Sequence, residues 1–102
     1  MKRFNVPEGN PESFVDRVRQ ALAGRSLGQI VDLAVEGGQI VVRLRKMGTT
    51  ELRYDTRPEG DGFVATLAAE RVAPFHAPFR ADFEHKLEHV LESVGASLGE
   101  PG

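Results

Sequence analysis

The sequence predicts an α+β fold in the order α-β-β-β-β-α: a four-stranded antiparallel meander sheet with an N-terminal and a C-terminal helix on one face. Three observations carry that prediction. A Gly37-Gly38 pair separates two runs of alternating apolar residues, the signature of a two-residue hairpin loop with positive φ at both positions. Asn10-Pro11 opens a stretch of helical apolar spacing, and a second such stretch follows Pro78. Between them, two turn-rich segments separate strand-like runs.

In the first helix, Asn10 can accept from the first free N–H groups and Pro11 has none to lose. Phe14, Val18, Ala21 and Leu22 recur at helical spacing, Val15 widens the stripe, and Gly24 is expected to end the helix in the left-handed conformation. The paired glycines then set the register of strands Ile30 to Val35 and Ile40 to Lys46. Glu36 faces Gln39, Val35 faces Ile40, Leu33 faces Val42 and Val31 faces Leu44, with Asp32 opposite Arg43 as a cross-strand ion pair. A three-residue loop of Met47, Gly48 and Thr49 keeps the apolar parity, setting Leu44 against Leu52, Val42 against Tyr54 and Arg45 against Glu51. A four-residue turn, Arg57-Pro58-Glu59-Gly60, sets Tyr54 against Phe63.

The fourth strand runs from Phe63 to Glu70, with Phe63, Ala65, Leu67 and Ala69 inward and Val64, Thr66, Ala68 and Glu70 outward. Pro74 and Pro78 bracket an extended connector, because each disfavours helical geometry in the residue before it. The second helix begins near Pro78, with Phe79, Phe83, Leu87, Val90, Leu91 and Val94 on one stripe and Gly95 at its end. Residues 1–102 read as a single domain, with 1–9 and 96–102 flexible. This pattern, from Glu12 to Val94, resembles the small proteins associated with bacterial polyhydroxyalkanoate granules, a likeness of element order that carries no residue role.

Composition narrows function mainly by exclusion. The 102 residues are 40% hydrophobic and 27% charged with a formal charge of −2, ordinary globular usage that argues against a nonspecific polyanion binder. Without cysteine there is no disulfide framework, thiolate metal site or cysteine nucleophile. No apolar run approaches the ~20 residues of a membrane span, and the N-terminus lacks an apolar leader core. The expectation is a soluble cytoplasmic protein.

Catalytic signals are lacking. Ser13, Ser26, Ser93 and Ser97 have no nucleophile elbow around them. Asp55, Glu59 and Asp61 lack the ligand alternation of a calcium loop. His85 and His89 lie one helical turn apart, as in helix-borne metal sites, but without a third ligand they read as a solvated helix face; no metal or cofactor is expected.

The outer sheet face holds the interaction candidates. Val41, Arg43, Arg45, Arg53 and Val64 form a half-apolar, arginine-bearing surface, with Arg43 expected opposite Arg53. The leading expectation is a non-enzymatic protein-interaction module, a homodimer through this open face or a binder of another protein. One alternative is a small apolar ligand between sheet and second helix, contacted by Tyr54, Phe75 and Leu87. Phe75, Phe79 and Phe83 otherwise cap one end of the core. Anion or nucleic-acid binding through the arginine row is a further alternative, weakened because the outward face lacks stacking aromatics.

Overall fold

A computed structural model describes residues 1–98, in the order β1 (Arg3–Val6), α1 (Pro11–Leu22), β2 (Val31–Glu36), β3 (Gln39–Arg45), β4 (Thr49–Glu59), β5 (Gly62–Arg71) and α2 (Arg80–Ser93). Two 3-10 segments, Ser26–Gln29 and Pro74–Phe79, precede β2 and α2. The fold is α+β, as expected, but the antiparallel sheet has five strands among the described residues, in the order β1-β5-β4-β3-β2. The added strand is β1. Residues expected to be a flexible lead place Phe4 opposite Ala65 and Val6 opposite Phe63, which buries both side chains. Gly62 permits the approach: a Cβ there would stand 1.8 Å from the Val6 carbonyl oxygen. Of the stretch 96–102, also expected to be flexible, Ser97 docks by exchanging two backbone hydrogen bonds with Asn5, and residues 99–102 lie outside the described residues.

Asn10 caps α1 by accepting from the Ser13 N–H at 2.8 Å, and Ser13 Oγ accepts from the Asn10 N–H at 3.2 Å. Gly24 is not the left-handed stop that its position suggested. The helix closes at Ala23 in ordinary right-handed geometry, and Gly24 is absent from the positive-φ positions. From its edge strand the chain crosses the sheet through α1 to the opposite edge. Phe14, Val15, Val18 and Leu22 of α1 and Phe83, Leu87, Val90 and Leu91 of α2 are buried in one cluster with Leu33, Ile40, Val42, Leu52, Tyr54 and Phe63. Both helices therefore cover the same sheet face.

Gly37 and Gly38 adopt φ of 57° and 81°, and the β2–β3 register matches the expected pairing from Val31↔Leu44 to Glu36↔Gln39. The next two turns depart from expectation. The β3–β4 loop is Lys46-Met47-Gly48, since Met47 itself takes a left-handed φ of 57°. Sliding the loop by one position moves the pairing by two residues, so Arg43 meets Glu51, Val42 meets Leu52 and Ile40 meets Tyr54. Parity survives because a two-residue shift leaves each side chain on its own face.

The last hairpin turns tightly at Gly60-Asp61, and β4 runs on through Pro58 to pair with Phe63. Past Asp55 this strand has lost β3 as a neighbour, and proline is tolerated where one edge is open. A register break then leaves Ala68 without a partner between Arg53↔Ala69 and Tyr54↔Leu67. This bulge reverses the expected ends of β5: Ala69 lies outward beside Arg53, and Glu70 pairs with Leu52 and reaches Arg80 of α2. No helix among the described residues is long and apolar enough to cross a membrane.

Candidate functional site

The outer sheet face is charged on top and apolar beneath. Val41 pairs with Ala34 on β2 and Arg53 on β4, yet it is only 1% exposed and stands apart from the inner cluster. Its cover is a ring of long side chains. Arg43 donates to Glu36 at 2.9 and 3.1 Å and to Glu51 at 2.9 Å; Arg53 donates to Glu51 at 2.6 Å and to Glu36 at 3.3 Å. In the register these four positions surround Val41, so their methylene stems shield it while the heads neutralise one another.

The hydrogen bond from Arg43, with burial opposing it, holds the Glu36 carboxyl below its ordinary range. Bonds from Arg53 and then Arg43 do the same for Glu51. The expected Arg43–Arg53 confrontation is thus replaced by a closed network. Asp32, though opposite Arg43, pairs instead with Arg19 of α1 at 3.4 Å. Val64 is 3% exposed and lies between Asn5 and Arg57, on the other side of β4 from Val41. Arg45 remains exposed. Of the five residues expected to form one contact surface, Val41, Arg43 and Arg53 are brought together, with the arginines lying over the valine, whereas Val64 stands apart on β5.

Exposed apolar surface is concentrated elsewhere. Met47, Phe75 and Phe79 are 73%, 50% and 57% exposed, and all three line one open groove of about 350 Å³. Leu27 and Ile30 form one wall, Leu44 and Phe83 contribute from β3 and α2, and Lys46, Asp82 and Lys86 stand among the polar lining. The Phe75 and Phe79 rings are 6.2 Å apart. Phe79 was expected in the core on the helix's apolar stripe. Because α2 starts only at Arg80, Phe79 belongs to the 3-10 segment and stays exposed; Phe83 alone of the three phenylalanines is buried.

His76 anchors this groove. The connector carrying it is a 3-10 segment rather than the extended arm expected, opened by Pro74 and closed by His76 N–H donating to the Ala73 carbonyl at 2.8 Å. The ring is 5% exposed. Its Nε2 lies 2.5 Å from the Lys46 carbonyl oxygen and its Nδ1 2.7 Å from Thr50 Oγ1. A carbonyl only accepts, so Nε2 bears the proton and Nδ1 accepts from the Thr50 hydroxyl, which in turn accepts from the Ala73 N–H at 3.0 Å. This relay ties the aromatic connector to the β3–β4 hairpin that presents Met47. Neither His76 nor Met47 was singled out from the sequence as part of a binding surface.

Of the expected ligand-pocket residues, only Phe75 lines the groove. Tyr54 and Leu87 are fully buried in the inner cluster. The Tyr54 hydroxyl donates to the Met1 carbonyl at 2.7 Å, and burial, helped by the Glu84 charge, pushes its phenol well above the ordinary range. On the exposed flank of α2, His85 Nε2 and His89 Nε2 are 3.3 Å apart. Among the described residues no three His, Asp or Glu side chains are grouped to hold a metal ion. Comparison of the chain with protein-family models, curated proteins and solved structures returns no match.

Proposed function

We propose that this chain is a small non-enzymatic binding module whose working surface is the groove between Met47 and the Phe75–Phe79 segment. The observation that carries it is the convergence of the three large exposed hydrophobic side chains on one cavity. Scattered exposed apolar residues need no account, whereas a contiguous set around a concavity marks a ligand or partner site. Its volume of about 350 Å³ falls at the small end of the usual ~300–1,000 Å³ for ligand pockets. A role in binding rather than catalysis is supported by His76: both ring nitrogens are engaged in structural hydrogen bonds, and no serine lines the groove.

Rigidity supports the same reading. The His76 relay holds Phe75 and Phe79 in place before any ligand arrives, which lowers the entropy lost on binding. Met47 in a left-handed conformation is a local strain of the kind that gathers at binding surfaces.

The test is titration with Nile red, a neutral apolar dye, followed by its emission. We expect enhanced emission with the native chain and its loss in Phe75→Ser/Phe79→Ser, at a nearly unchanged thermal midpoint because both rings are half exposed. An unresponsive dye, or equal emission with the double variant, rejects the groove. A homodimer through the sheet face would have to be built on the Glu36/Arg43/Glu51/Arg53 ring, since Val41 and Val64 lie beneath the surface. Light scattering of the native chain and Arg43→Glu tests that contact, and a monomer in both removes it.

A further inference from the structure

We infer that the groove takes an anionic amphiphile, specifically a medium-chain carboxylate whose hydrocarbon body covers Phe75 and Phe79 and whose head lies toward Arg25 and Lys86. The inference rests on the groove-binding proposal and adds the chemical class of the ligand. It starts from a second cavity of about 290 Å³ that shares Leu27 and Lys86 with the first. The first cavity is walled by Met47 and phenylalanine rings, with Lys46, Asp82 and Lys86 among its polar lining; the second is lined by Arg25, Ser26, Leu27, Lys86, His89 and Val90. The two cavities therefore adjoin at Leu27 and Lys86, the aromatic one on one side and the one bearing Arg25 on the other.

The charges decide the sign of the head. Asp82 is the carboxylate of the apolar end, and it is already paired with Lys86 at 3.2 Å. Among the described residues Arg25 forms no ion pair, so the mouth retains uncompensated positive charge in a chain whose formal charge is −2. A guanidinium accepts a carboxylate through two parallel N–H···O bonds, and the Ser26 hydroxyl beside it can add a third donor. In the second cavity Arg25 is the one cation without an ion pair among the described residues, and a singly charged head matches it, whereas a phosphate dianion would exceed it. A cationic head would be repelled by Arg25 and Lys86.

Because the head site is shallow, its ion pairs contribute modestly, and burial of the hydrocarbon supplies most of the affinity. The expected selectivity is correspondingly modest. Displacement of Nile red from the native chain, with competitors below their micellar concentrations, measures it. Decanoate should displace the dye at a roughly fivefold lower concentration than decanol, and decyltrimethylammonium should be the weakest of the series. In Arg25→Gln/Lys86→Gln, decanoate should fall to the level of decanol while decanol itself is unchanged.

Equal displacement by decanol and decanoate, or a decanoate advantage that persists in the double variant, overturns the assignment of the head while leaving the groove proposal standing. Tighter binding of decyl phosphate than of decanoate overturns the carboxylate class. Failure of all four compounds to displace dye whose emission Phe75→Ser/Phe79→Ser abolishes overturns the amphiphile and leaves the groove proposal standing.

Discussion

Two regions of this molecule hold apolar side chains outside the main core, and they treat them in opposite ways. On the outer sheet face Val41 is covered by the chain's own Glu36, Arg43, Glu51 and Arg53, paired at 2.6 to 3.3 Å. At the end of the sheet Met47, Phe75 and Phe79 stay open, although Lys46 and Lys86 stand beside them. The difference lies in the partners. Each arginine of the ring finds two carboxylates, Arg43 on the strands to either side and Arg53 on its own strand and across β3 on β2, so its side chain is drawn flat across the sheet. The groove lysines have Asp82 alone among the lining carboxylates, and nothing pulls a charged stem across the aromatic rings. A polar cover closes an apolar patch only where charges of both signs surround it.

Charge insertion in the two regions gives the largest contrast. Val41→Asp buries a third carboxylate beneath arginines already committed to Glu36 and Glu51 and should cost about 3 kcal/mol or more, or prevent folding. Phe79→Asp, at a half-exposed position, should cost under about 1 kcal/mol. Urea denaturation of both variants checks this; equal costs would break the distinction between a covered patch and an open one.

Next in size is His76→Ala. It removes the acceptor of the Thr50 hydroxyl and the donor to Lys46 O, in a site that is 5% exposed, and should cost about 2 kcal/mol. Releasing the connector should also weaken Nile red binding, which a purely structural core histidine would not do. Unaltered dye affinity in a folded variant would show that the relay does not shape the groove.

The covered patch also predicts a pH dependence. Glu36 and Glu51 have carboxyls held below their ordinary range by arginine hydrogen bonds. The unfolded chain therefore binds protons before the folded one does as the solution is acidified. Their contribution is complete above the ordinary carboxylate pKa of ~4.3 and is lost as pH falls through the lowered folded values. The urea midpoint should drop over that acidic window, and more shallowly in Glu36→Gln/Glu51→Gln. An identical acid limb in the double variant would mean that other carboxylates set it.

How much of this was legible depended on which residues left the backbone no choice. Gly37-Gly38 has few alternatives to a two-residue bend, and all six residue pairs of that hairpin follow from it. The next loop was misplaced because a methionine occupies left-handed space that sequence reasoning reserves for glycine or asparagine. That single residue moved Glu51 opposite Arg43, turning an apparent clash of arginines into the closed ring over Val41. The Ala68 bulge has no residue signature in a run of small side chains. Strand β1 did leave a trace, Phe4 and Val6 alternating with Arg3 and Asn5, but four residues are too few to distinguish from a loop. From the sequence Phe75 reads first as a cap on the core and only alternatively as a pocket residue beside Tyr54 and Leu87, because a proline-flanked aromatic fits either role; the structure leaves it half exposed on a groove that excludes the other two. Phe79 was not legible as a groove residue, since its helical spacing to Phe83 hid the fact that the helix had yet to begin.

The smallest effect concerns Met47, where two unfavourable choices coincide: a side chain 73% exposed and a backbone φ of 57°. Asparagine tolerates that conformation better than an unbranched apolar residue does, and little packing is forfeited at such exposure. Met47→Asn should therefore stabilise the fold by about 0.5 kcal/mol while lowering affinity for Nile red. Opposite signs in the denaturation midpoint and the dye titration are what a binding surface maintained at the expense of stability would produce. If both measurements fall together, Met47 is a packing residue of the hairpin and the groove ends at Phe75.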